Sequence, residues 1–137
     1  MIETPYEPLP EPGDILWCRI PLTEKPGEPG PKCRPALVLK VAPEDKAVLV
    51  AYGTTKRTSQ DELYPGEFAL DPSDGGFAVS GLTLRTKFDL ARTVKLPFNS
   101  TWFGPAPGVH ANTPLPKMGV LHPSYMRAAN AAYQQVA

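Results

Sequence analysis

Arg34-Pro35-Ala36-Leu37-Val38-Leu39-Lys40-Val41-Ala42, Pro43-Glu44-Asp45-Lys46 and Ala47-Val48-Leu49-Val50-Ala51-Tyr52 follow one another without a gap. Residues 35–42 are nearly all apolar, as a strand buried on both faces requires. Residues 43–46 form a tight turn, and residues 47–52 repeat the β-rich pattern. The three blocks together predict an antiparallel hairpin. An arginine stands at the mouth of the first strand, directly after a loop rich in proline and glycine. Its guanidinium is always charged and presents a rigid fork of donors suited to phosphate.

Upstream, Gly13-Asp14-Ile15-Leu16-Trp17-Cys18-Arg19-Ile20 alternates, with Ile15 and Trp17 to one side and Leu16, Cys18 and Ile20 to the other. Period two predicts a strand, and it places Trp17 in the core. Residues 1–12 carry four prolines and no periodicity, which reads as an extended N-terminal arm ahead of one domain spanning 13–137. Residues 21–32 read as a long exposed loop. Downstream, Glu67 to Leu70 forms a short strand, and Leu84–Phe88 with Thr93–Leu96 forms two short strands or one bent one. Residues 97–121 are again rich in proline and glycine and carry no assigned element. The end of the chain is helical: His122 caps it, Pro123 suits its first turn, and Tyr125, Met126, Ala129 and Tyr133 recur at helical spacing.

Eighteen prolines and eleven glycines interrupt the chain too often for long helices. Five or six short, bent strands and one C-terminal helix predict a mainly β fold. A small SH3-like barrel is the first candidate and an oligonucleotide/oligosaccharide-binding barrel the second.

Lys plus Arg equals Asp plus Glu at fourteen each, so no global field attracts a polyanion. Any such site must be a local cluster. The N-terminus is acidic, with neither a signal-peptide pattern nor an apolar run long enough to span a bilayer, so a cytoplasmic location without membrane contact is expected. Cys18 and Cys33 fit no metal spacing and read as two free thiols. His110 and His122 lack placed partners and read as structural. No metal or cofactor is called for.

A polar set remains at strand ends: Arg34, Thr54, Thr55, Lys56, Arg57, Lys87, Asp89 and Arg92. In an antiparallel hairpin the start of one strand lies beside the end of the other, so Arg34 and Thr54 are neighbours. A guanidinium beside a hydroxyl and backbone amides makes an anion cradle. Lys87 and Asp89 would add a cation and a base. Together they suit phosphoryl transfer through a 2′-hydroxyl: a base takes its proton, cations hold the developing charge, and an acid protonates the leaving oxygen. The ordinary alternative is a solvated rim of strand-end polar residues.

Four blocks resemble the MazF/PemK/Kid toxin family of toxin–antitoxin systems. Gly13-Asp14-Ile15-Leu16-Trp17 is similar to the family's opening strand. Arg34-Pro35-Ala36-Leu37-Val38-Leu39 is similar to its Arg-Pro strand. Val48-Leu49-Val50-Ala51-Tyr52-Gly53-Thr54-Thr55 resembles the strand that ends in a catalytic-site threonine. Thr86-Lys87-Phe88-Asp89-Leu90-Ala91-Arg92-Thr93-Val94 is a weaker match to a basic–acidic segment. The resemblance implies an SH3-like barrel that forms a homodimer and cleaves single-stranded RNA without a metal, leaving a 2′,3′-cyclic phosphate. It also implies a cognate antitoxin that occupies the RNA grooves. By position, Arg34 would stabilise the scissile phosphate or act as acid, Thr54 would hydrogen-bond it, Asp89 would be the base, and Arg92 would contact RNA. Thr55, Lys56, Arg57 and Lys87 complete the expected RNA-binding set. The chain departs from the family at Lys87, where an arginine is usual. Glu28 stands six residues before Arg34 rather than five, and the 97–121 segment is longer. Those departures favour the alternative of a non-catalytic binding or regulatory module on the same barrel. Trp17 and Trp102 also admit a weaker reading, an aromatic groove for peptides.

Overall fold

A computed structural model describes residues 4–107 and 115–137. His110, the first three residues of the arm and part of the 97–121 segment lie outside the described residues. Six antiparallel strands form one sheet in the order β4-β5-β3-β2-β1-β6. They are β1 (Asp14–Cys18), β2 (Arg34–Ala42), β3 (Ala47–Thr54), β4 (Glu67–Leu70), β5 (Thr86–Pro97) and β6 (Lys117–Val120), followed by helix α1 (Met126–Val136). The edge strands β4 and β6 do not pair with each other, so the mainly β, SH3-like barrel is a curled sheet left open between them.

The predicted hairpin is β2–β3, running from Ala36 opposite Tyr52 to Ala42 opposite Ala47, with one slip between Val38 and Lys40. The turn between them is a 3-10 turn over Pro43–Asp45 whose C-cap, Lys46, is left-handed. The two fragments expected at 84–96 are one strand. On β3, Ala51 pairs with Thr93 and the next residue, Tyr52, with Asp89, so residues 90–92 bulge out and bend β5. β6 was not anticipated. Lys117-Met118-Gly119-Val120 is short and shows no clear alternation, and it becomes a strand because the free edge of β1 accepts it, Asp14 opposite Val120. β1 is shorter than residues 13–20: pairing stops at Cys18, although Ile20 remains buried.

Period two divides the core between the faces of the sheet. Ile15, Leu37, Ala51, Phe68, Leu70 and Phe88 pack on one face under α1, which contributes Ala129 and Ala132. Leu16, Cys18, Val38, Val48, Val50 and Leu96 pack on the other, closed by Phe98 and Phe103. Burying each such large aliphatic side chain contributes about 1.5–3 kcal/mol. The proline-rich arm also joins this second face. The Tyr6 N–H donates to the Phe98 carbonyl at 3.2 Å, and the two rings lie 5.6 Å apart. His122 caps the C-terminal helical segment as expected, its ring nitrogen accepting from the Ser124 N–H at 3.0 Å. Among the described residues no helix is long and apolar enough to cross a membrane.

Candidate functional site

Antiparallel order brings the C-terminal ends of β1 and β3 to the same end of the sheet as the N-terminal ends of β2, β5 and β6. A cleft of about 410 Å³ opens there. Arg34 and Thr54 both line it, with Thr55 beside them; Trp17, Cys33 and Pro35 continue the floor, and Leu82, Thr83, Leu84 and Met118 form the opposite wall. Extending the β2–β3 register by two residues sets Arg34 opposite Thr54, the neighbourhood expected from the hairpin.

The polar end of the cleft is held by its own turn. Thr54 is buried, and its Oγ1 accepts the Lys56 N–H at 3.1 Å, so the chain folds back directly after the strand. Arg57 sits in the left-handed region at φ 53°, which completes that reversal. Lys56 and Arg57 are exposed beside the cleft without lining it. Gly53 is required one residue earlier, because a Cβ there would collide with the Pro35 carbonyl and the Phe88 ring. Arg34 is half-buried and paired across the sheet with Cys18.

Trp17 is not the core residue that alternation suggested. It is half-buried and lines the cleft, because β1 ends one residue later and the sheet gives it no covering layer there. Cys33 is a free, half-buried thiol in the same wall, and Cys18 is free and buried. Burial pushes the Cys33 thiol up, against a smaller downward pull from the Arg19 guanidinium and a backbone hydrogen bond at Gly104. It is therefore a neutral lining group rather than a nucleophile. The Cys18 thiol is pushed up further, chiefly by burial.

The other expected residues lie apart. Lys87 is opposite Thr54 on β5, yet its ammonium is buried against Glu67 Oε1 at 2.9 Å, with side-chain exposures of 6% and 7%. It also lies over the Tyr64 ring, 5.6 Å from the centroid. It is consumed by that pair rather than presented to a ligand. Asp89 faces Tyr52 and Glu67, and its Oδ1 accepts the Ala91 N–H at 2.9 Å, holding the β5 bulge. It does not line the cleft. Its Cα is two strands from β2 and two residues further along, about 10 Å across the sheet and a further ~7 Å along the strand. Arg92 stacks on Tyr52 at 4.4 Å and contacts the Thr23 hydroxyl at 3.4 Å, in a second cleft of about 350 Å³ roofed by the β1–β2 loop. Among the described residues no group of three or more His, Cys, Asp or Glu side chains is placed to hold a metal ion.

Sequence reasoning missed the wall formed by residues 80–86. The only signal for it was Gly81, whose φ of 74° calls for glycine.

No protein-family model and no curated protein sequence matches the chain. Solved structures do. One, an endoribonuclease in complex with its cognate antitoxin from a mycobacterial species, matches with a TM-score of 0.54 at 18% identity, over 90% of this chain and 89% of that one. A second, a mycobacterial endoribonuclease, matches with a TM-score of 0.53 at 17% identity, over 93% of this chain and 89% of that one. At these identities the likeness establishes the fold.

Proposed function

We propose that this chain is a toxin endoribonuclease of the MazF/PemK/Kid type, acting on single-stranded RNA and held in check by a cognate antitoxin. The observation that carries the reading is the meeting of Arg34 and Thr54 in one open cleft. Solved structures of the same fold, described as endoribonucleases, one of them with its antitoxin, support it. In this reading the protein is cytoplasmic and works as a homodimer with RNA laid along the dimer groove.

The chemistry assigned to the cleft is attack of a ribose 2′-hydroxyl on the adjacent phosphorus, with expulsion of the 5′-oxygen and formation of a 2′,3′-cyclic phosphate. Arg34 would hold two non-bridging oxygens bidentately as charge accumulates on them. The Thr54 hydroxyl and the amides of the turn after it would supply further donors. The positive charge is provided by side chains, so no metal is assigned a role. Asp89 ranks behind these two as a participant, because it lies outside the cleft.

The test is incubation of purified protein with single-stranded RNA. Cleavage to products ending in a cyclic phosphate, lost in Arg34→Ala, is expected. No cleavage by the wild type at micromolar protein, or equal cleavage by Arg34→Ala, refutes the reading. A non-catalytic binding module is the second reading, favoured by the burial of Lys87 in an ion pair and by the position of Asp89. RNA binding without cleavage would support it.

A further inference from the structure

The cleft that holds Arg34 also has an apolar end, and that end is more rigidly built than an irregular loop requires. Its wall runs from Ser80 to Thr86, and every part of it is tied down. The Ser80 hydroxyl donates to the Phe77 carbonyl at 2.6 Å and accepts the Leu82 N–H at 3.1 Å. Gly81 lies so close to β6 that a Cβ would collide with the Met118 carbonyl. The buried Thr86 hydroxyl donates to the Leu84 carbonyl at 2.9 Å. Arg85 is fixed by Nε on the Thr58 carbonyl at 2.7 Å and by Nη1 on Asp71 at 3.2 Å. These ties stand on either side of Leu84, whose side chain is nevertheless 61% exposed and turned to the cleft. A leucine held in place and left uncovered, facing a half-buried tryptophan, is apolar surface awaiting an apolar occupant.

The occupant must also suit the other end, where a guanidinium, two threonine hydroxyls and the neighbouring Lys56 and Arg57 favour an anion. A nucleotide combines a flat, stackable ring with a phosphate, and single-stranded RNA is bound by stacking unpaired bases on aromatic side chains. A cleft of about 410 Å³ lies in the range of sites that enclose small ligands. We propose that Trp17 and Leu84 form a nucleobase subsite, which seats one unstacked base beside the phosphate held at Arg34. The subsite rests on the RNA-directed reading of the cleft and deepens it. Stacking tolerates every base, so the subsite would set the register of the strand more than its sequence.

The experiment uses the full chain carrying Trp102→Phe, so that Trp17 is the sole tryptophan. A random-sequence, end-labelled 2′-O-methyl oligoribonucleotide serves as ligand, because it lacks the attacking hydroxyl. Binding is followed in parallel by label anisotropy and by Trp17 emission. The expected result is saturable quenching of Trp17 over the same concentration range as the anisotropy change. Leu84→Ser, at an exposed position and therefore with an unchanged melting temperature, weakens binding about tenfold, as does Trp17→Leu where it remains folded. If the oligonucleotide binds by anisotropy while Trp17 emission stays constant and Leu84→Ser binds equally, the subsite is overturned and the RNA reading stands. If the oligonucleotide does not bind, both fall. If poly-glutamate quenches Trp17 and the oligonucleotide does not, the occupant is a polypeptide and the nucleobase proposal is overturned.

Discussion

Arg34 and Lys87 stand in one row across the sheet, separated only by Thr54, yet their fates are opposite. Arg34, at the start of β2, borders an open cleft, half-buried, with its charge available. Lys87, near the start of β5, is buried and committed to Glu67. Both read in the sequence as strand-end cations. The difference is the covering layer: β4 lies along β5 and places Glu67 beside Lys87, whereas at Arg34 the neighbouring β1 ends at Cys18 and leaves the row uncovered. Availability of a charge at a strand end is therefore decided by the next strand over.

That contrast breaks first at Glu67. Glu67→Ala leaves a buried ammonium without its partner and should cost about 3–5 kcal/mol of stability. A thermal or urea melt measures it, and an unchanged midpoint would mean that Lys87 escapes to solvent. On the other side, Arg34→Ala removes a donor whose work is reserved for the transition state. RNA cleavage should fall about 10²–10³-fold in kcat with the circular dichroism spectrum unchanged. Asp89 sharpens the boundary of the site. Asp89→Asn should fall well short of the about 100-fold loss expected on removing a general base, and a larger loss in single-turnover assays would bring Asp89 to the reacting centre. Arg92→Ala removes the stacking on Tyr52 and should cost about 0.5–1 kcal/mol in a denaturant titration, with cleavage retained.

The smallest effect concerns the anchor of the cleft wall. Hydrogen bonds from Ser73, and then Arg85, hold the Asp71 carboxyl below the ordinary carboxylate range. Its folded pKa is thus lower than its unfolded one. The stabilisation is present above the unfolded value and is lost as pH falls through the folded one. Asp71→Asn should melt slightly below the wild type at pH 7, and the two should converge in acid. A gap that persists unchanged in acid would assign the effect to something other than the charge.

The extent to which the chain could be read in advance follows the range of the interactions involved. The β2–β3 hairpin, β4 and the capped C-terminal helix are built from neighbours in sequence, and their residues announced them. β5 appeared as two fragments because its bulge at 90–92 is defined only by pairing with β3. β6 gave no signal, since four residues among prolines and glycines become a strand only against the edge of β1. Trp17 was assigned to the core because alternation gives the side a residue faces, without saying whether anything covers that side.

Sequence alone determined the β class, the hairpin and the meeting of Arg34 with Thr54, because antiparallel pairing across a short turn leaves that geometry no freedom. Tertiary structure alone decided that Lys87 is sequestered, that Asp89 stands away, and that Leu84 and Trp17 face one cleft. Those outcomes depend on contacts between strands distant in the chain, where burial and pairing are set by which element lies alongside.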